Sequence, residues 1–257
     1  MPVAGAGVAV VTGGSSGIGA AIARTLARRG WRLVLLARNE ERVRAVADEL
    51  AAEFELCDVS DREQVERVAA ALRERQPALR LLVNNAGIPG RGGFLELEPG
   101  EIEALVRTNY LGSVWCTRAF LPALEAGAPS HVVNIVSVAG TVALGPAGPY
   151  SASKHAQLAF SRASGAELAG RGISVHTVNP GFVETPGFPN RERFSGPLRR
   201  LVAEPALVAE SVVRALERNR AERFVPRWYR PAAVAQALLP SLLARAARAR
   251  EFRRKPP

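Results

Sequence analysis

The chain has 257 residues, 47 % of them hydrophobic and 23 % charged, which excludes a disordered or fibrous protein and suits one large α/β domain or at most two small ones. The formal net charge is +10, but residues 1–190 carry 18 basic and 18 acidic side chains, against 16 and 6 in residues 191–257. An excess confined to the last quarter argues against a nucleic-acid-binding surface on the body of the fold.

Only two of the 34 basic residues, Lys154 and Lys255, are lysine, so each lysine invites a question about its task. The two cysteines, Cys57 and Cys116, form no CxxC or Cys/His cluster. Neither a disulfide framework nor a structural zinc site is expected, and a reducing, cytoplasmic setting is.

The apolar run from Val3 to Val11 has no charged segment before it and passes straight into a glycine-rich turn. A first strand is expected there rather than a signal peptide. Unbroken apolar runs at 8–11, 31–36, 53–57, 79–83, 131–136 and 173–178 predict strands buried on both faces. Between them, 17–29, 40–52, 61–75, 100–125 and 150–169 mix Ala, Leu and charge at helical spacing. Asp61 with Gln64 marks a helix start, as N-cap and capping-box partner. This alternation predicts an α/β fold over residues 1–225, a doubly wound parallel sheet of Rossmann type with helices on both faces. Residues 226–257 form a basic C-terminal helical extension in this reading. No apolar stretch reaches the roughly 20 residues of a membrane span.

Two constellations carry chemistry. The first is TGGSSGIG at 12–19, between the first strand and the first helix. Gly13, Gly17 and Gly19 permit a tight turn and let a pyrophosphate approach the helix N-terminus, where unpaired N–H groups and the dipole favour an anion. Ser15, Ser16 and Ile18 complete that candidate cofactor cradle. The second is Ser137, Tyr150 and Lys154. Tyr150 and Lys154 are four apart on a predicted helix and so share a face. A cation about 4 Å from the phenol, at an effective dielectric near 20, is worth roughly 4 kcal/mol, or about three pKa units. That would bring a tyrosine into the range of general acid–base work.

With these motifs in order, the chain resembles the short-chain dehydrogenase/reductase family in its compact single-domain branch. The resemblance spans roughly residues 7–225. It rests on TGGSSGIG, Asp58, NNAG at 84–87, Asn109, Ser137, YSASK at 150–154 and NPGFVET at 179–185. It implies hydride transfer between a nicotinamide and a carbonyl or secondary alcohol. Tyr150 would be the acid/base, with Lys154 lowering its pKa and binding the nicotinamide ribose. Ser137 would orient the carbonyl, and Asn109 would hold a water in a proton relay. Asn85, Ala86 and Gly87 would line the cofactor, with Asn84 bracing the central strand. Pro180, Gly181, Val183 and Thr185 would border the nicotinamide, and Asp58 and Val59 the adenine.

No metal is implied, and His131, His155 and His176 are read as packing or helix-surface residues. A homo-oligomer is expected. The rival readings are a non-catalytic nucleotide-binding regulator, which the full Ser–Tyr–Lys–Asn set argues against, and an extended-branch epimerase or dehydratase, which lacks room for its substrate domain.

Cofactor choice is read at the end of the second strand. A carboxylate there would bond the adenosine 2′-hydroxyl and repel a 2′-phosphate. The sequence has Leu36, Ala37, Arg38 and Asn39 instead, which favours NADP, with NAD possible if Arg38 is incidental. The segment 186–200 holds Phe188, Phe194 and several arginines, and reads as a substrate lid or a solvated basic loop. Pro231 to Ala244 is a run of 14 uncharged residues followed by an arginine-rich end. It suits either packing on its own subunit or a dimer partner, or peripheral contact with an anionic membrane.

Overall fold

A strand with an apolar side chain at every position has no face to give to water, so it needs a cover on both sides. The computed structural model describes residues 7–90, 92–143, 147–187, 202–241 and 245, and it resolves this requirement with one sheet between two helical layers. The strands are β1 (Val8–Thr12), β2 (Arg32–Ala37), β3 (Glu53–Leu56), β4 (Leu81–Asn84), β5 (Ser130–Ile135), β6 (Ile173–Pro180) and β7 (Glu222–Val225). They lie in the order β3-β2-β1-β4-β5-β6-β7, all parallel. The helices are α1 (Gly17–Ala27), α2 (Glu40–Leu50), α3 (Arg62–Arg75), α4 (Pro99–Val106), α5 (Gly112–Ala126), α6 (Gly148–Ala169), α7 (Pro205–Glu217) and α8 (Arg230–Leu238). This is the doubly wound fold expected from the alternation.

The side-chain period of two divides β1 between two cores. Ala9 and Val11 join Leu35 and Val83 against Ile22 and Leu26 of α1 and Val212 of α7. Val8 and Val10 join Val34 and Leu82 against Leu72 of α3 and Phe120 of α5. The strand order reverses between β1 and β4, and the crevice beyond their carboxyl ends is where such sheets bind ligands.

Three local features depart from the expectation. The single helix read over 100–125 is two helices joined by a π-helical turn, Arg107–Leu111, which sets Asn109 fully inside the protein. Asp61 caps α3 by accepting from the Gln64 amide at 3.1 Å, but the Gln64 carbonyl accepts from Asp58 N at 3.0 Å rather than from the cap's own amide. The edge strand β7 and helix α7 lie outside the expected elements; β7 is four residues of mixed charge and apolarity, too short for a periodic signal. His131 and His176, diagonal neighbours on β5 and β6, share a 3.0 Å hydrogen bond, and burial pushes His131 down to about 4. His155 is exposed on α6.

Candidate active site

The turn after β1 is shaped by what its backbone must approach. Gly17 has φ +53°, and a Cβ there would meet Thr185 at 3.1 Å; a Cβ on Gly19 would overlap the Gly13 carbonyl oxygen. The turn is therefore held close to the first turn of α1 and to the segment after β6. Ser16 stands at the N-cap of α1 without a side-chain capping bond, and no acidic residue occupies the first turn. Such an end favours an anion.

Thr12 ties this cradle to β4. Its hydroxyl donates to Val83 O at 3.3 Å and accepts from Asn85 N and Ala86 N, each at 3.0 Å. Asn85 Nδ2 returns the tie, donating to Thr12 O at 2.9 Å and Gly13 O at 3.3 Å. Thr12 stood in the motif without a role, and its buried hydroxyl is what joins the two loops. Ile18 packs on the first core.

The other residues converge from β4, β5, β6, the π turn and α6. Asn109 Oδ1 accepts from Ile88 N at 2.8 Å, and its Nδ2 donates to Ile88 O and Ser153 Oγ, both at 3.1 Å. The amide thus clamps the loop after NNAG onto α6. A Cβ on Gly87 would lie 3.0 Å from Asn109 Oδ1 and 3.7 Å from Lys154 Nζ, which brings these three together. Asn84 Nδ2 donates to Asn134 Oδ1 at 2.9 Å and Thr117 Oγ1 at 3.0 Å, bracing β4 as expected. Ser137 Oγ accepts from Ala139 N at 3.1 Å and lies 3.5 Å from Pro180 O.

The electrostatics differ from the expectation that Lys154 lowers the tyrosine's pKa. Burial raises the Tyr150 phenol above its ordinary value, opposed by a hydrogen bond with Ser137. Lys154 is itself 5 % exposed and is pushed down to about 7 by desolvation. Its ammonium donates to Ile135 O at 3.1 Å and Gln157 Oε1 at 2.8 Å. Spacing on a helix face predicts the two side chains as neighbours, and burial acts on both in the direction that disfavours charge.

At the adenosine end, Arg38 follows β2 and its guanidinium lies 3.5 Å from the Asp58 carboxylate. Asp58 also accepts from the Ser60 hydroxyl at 2.7 Å, and Val59 is buried. At the other end, Val183 bridges to Ala203, placing the start of the 180–185 segment against the run before α7. A Cβ on Gly181 would overlap the ring of Tyr229, which stacks on Trp228 at 3.8 Å between centroids. No pattern in the sequence points to Tyr229 at this edge, since nothing periodic marks a side chain delivered by the turn after β7. Of the segment 186–200, read as a lid or a basic loop, residues 188–200 lie outside the described residues, as does most of the arginine-rich end.

This cradle and this cluster share one carboxyl edge of the sheet, and the family model for short chain dehydrogenases matches residues 7–194. The chain belongs to the short-chain dehydrogenase family. A Streptomyces coelicolor protein described as a ketoacyl reductase is 44 % identical to this dehydrogenase over 187 residues, 70 % of this chain and 71 % of the other. Among solved structures, a single-substitution variant of the actinorhodin polyketide ketoreductase with NADPH superposes with a TM-score of 0.78 at 37 % identity, covering 88 % of this chain and 97 % of that one. A Burkholderia cenocepacia short chain dehydrogenase in complex with NADP superposes with a TM-score of 0.83 at 28 % identity, covering 96 % and 99 %. No described helix of this dehydrogenase is long and apolar enough to cross a membrane.

Proposed function

We propose that this short-chain dehydrogenase is an NADP(H)-dependent oxidoreductase acting on a carbonyl or secondary-alcohol substrate, with Tyr150 as the acid/base. The observation that carries the reading is the meeting of Asn109 and buried Lys154 beside Gly87, with Tyr150 one helical turn away and hydrogen-bonded to Ser137, at the same sheet edge as the cradle. The cradle fits the cofactor: Gly19 has no room for a side chain, the α1 terminus is uncapped, and Arg38 offers a cation for a 2′-phosphate. The NADP-bound structural neighbours support the same choice, and the absence of an acidic residue after β2 fits it.

The nicotinamide supplies the hydride. Residues 13–19 would hold the dinucleotide's pyrophosphate, and Asn85, Ala86, Gly87, Pro180, Gly181, Val183 and Thr185 would flank the cofactor. Ser137 orients the reacting oxygen, and Tyr150 gives or takes the proton there. A neutral Tyr150 phenol is suited to donate the proton that carbonyl reduction takes up. Relatives described as ketoacyl reductases support trying 3-oxoacyl compounds first as substrates. The test is oxidation of NADPH by purified protein against a panel of ketones and 3-oxoacyl thioesters. No turnover on any member, with NADPH shown to bind, would favour the regulator reading.

A homo-oligomer and a peripheral membrane contact belong to the same proposal. Trp228, Val234, Leu238 and Leu239 are exposed, and Arg227 and Arg230 border the groove that Trp228 and Val234 line. Apolar groups beside cations suit an anionic lipid surface.

A further inference from the structure

A buried lysine has three N–H donors and no way to satisfy them from water. In this chain one partner is the backbone carbonyl of Ile135, and the other is a side chain that neither the glycine motif nor the YSASK motif contains. Gln157 is fully buried, one turn beyond Lys154 on α6, and its Oε1 lies 2.8 Å from Lys154 Nζ. An amide can present either end to a neighbour, and Ser113 of α5 decides which. Gln157 Nε2 donates to Ser113 Oγ at 2.8 Å, and that hydroxyl lies 3.5 Å from Asn109 O as a donor. With Ser113 accepting, the carbonyl end of Gln157 is left facing the ammonium.

We propose that Gln157, oriented by Ser113, is a positioning residue that keeps Lys154 protonated and aimed at the loop beneath Gly87.

The geometry sets the direction of the effect. Desolvation disfavours the charged lysine, and an acceptor bonded to the ammonium opposes it. Among the described residues two acceptors occupy two of the donors, and a Cβ on Gly87 would lie 3.7 Å from Nζ. Burial lowers the Lys154 pKa, and among the described residues no carboxylate of β5, α5, the π turn or the 84–88 loop forms an ion pair with its ammonium. On α6 the titratable neighbours are Tyr150, one turn back, and His155, which is exposed with Nδ1 on Ser151 O at 2.8 Å. A neutral acceptor thus has a strong hold on the lysine's protonation. The functional side of this inference rests on the proposed function, with Lys154 taken to bind the nicotinamide ribose, but the link between Gln157 and Lys154 does not.

The composition makes the link measurable. Only Lys154 and Lys255 carry an ε-carbon resonance when the full chain is grown on 13Cε-lysine, so Lys154 can be titrated alone by NMR. In Gln157→Met, which keeps the length and loses the acceptor, the Lys154 midpoint falls by about one unit or more. Gln157→Glu moves it upward instead, because a carboxylate favours the ammonium. Ser113→Ala, which frees the amide to turn, lowers it by a smaller amount and carries the test if Gln157→Met does not fold. A Lys154 midpoint unmoved in Gln157→Met, or in Ser113→Ala in its place, overturns the proposal.

NADPH titration and the pH profile of turnover are read on the same variants. A moved lysine resonance with an unmoved profile would refute the role of Lys154 and leave the Gln157 link intact.

Discussion

Replacing Lys154 by Met removes a buried amine while keeping an unbranched chain of similar length, and the consequence depends on pH in a defined direction. Folding carries the lysine from an ordinary value of 10.5 to about 7. Between those values the unfolded chain binds a proton that the folded chain does not. The unfolding free energy of the wild type therefore rises with pH across this window, and that gain is absent below about pH 7. The full displacement corresponds to about 5 kcal/mol, of which about 3 kcal/mol falls between pH 7 and 9.5. The assay is urea unfolding of both proteins at those two pH values. Cys57, which burial pushes up to about 12, titrates on unfolding in both and cancels in the difference. Wild type should gain about 3 kcal/mol on Lys154→Met from pH 7 to 9.5. A difference that stays constant to within about 0.5 kcal/mol would show that the amine is not desolvated as the structure has it.

Four further outcomes are expected. Tyr150→Phe removes the hydroxyl bonded to Ser137 with little change in packing; turnover should fall by about 10²-fold or more while NADPH binding persists, and near-normal turnover would reject Tyr150 as the acid/base. Arg38→Asp should weaken NADPH binding and improve relative use of NADH, checked by fluorescence titration of both; a wild type that already prefers NADH would reject the assignment. Gly19→Ala drives a Cβ into the Gly13 carbonyl oxygen, so NADPH affinity should be lost and the melting temperature lowered, and a variant that binds like wild type would contradict the cradle. Because Tyr229 packs on Gly181, the membrane reading is better tested by Val234→Asp with Leu238→Asp than by truncation. Wild type should sediment with anionic liposomes at low salt and the variant should not; equal recovery in the supernatant would remove that reading.

The sheet and its helices were legible because β1, β2 and β4 are apolar at nearly every position, a pattern only a doubly covered strand needs. Gly13, Gly17 and Gly19 were legible for a similar reason: the backbone requirement leaves few residue types to choose from. What depends on relations between distant segments was not. Thr12 clamps residues 83–86 through one hydroxyl, and Gln157 joins Lys154 to Ser113 of α5 through the two ends of its amide. Neither relation leaves a periodic trace. The Tyr150–Lys154 spacing predicted proximity, and the pKa shifts then followed burial, which spacing does not report. The π turn at Arg107–Leu111 was hidden for a further reason: RTNYL has nothing unhelical in it, and the wider turn coincides with the buried bonds Asn109 makes to Ile88 and Ser153.

The Thr12 clamp has a consequence for how the protein is made. The cradle sequence leaves the ribosome well before β4 and β6, yet its hydroxyl tie needs Val83, Asn85 and Ala86, and its outer wall needs Thr185. Such pairings of high sequence separation form late, after the loop-closure entropy has been met. A nascent chain short of β6 therefore has the phosphate-binding sequence without the phosphate-binding site. Only the completed sheet can be captured by its cofactor, and cellular NADPH then stabilises finished molecules while leaving partial ones to the quality-control machinery.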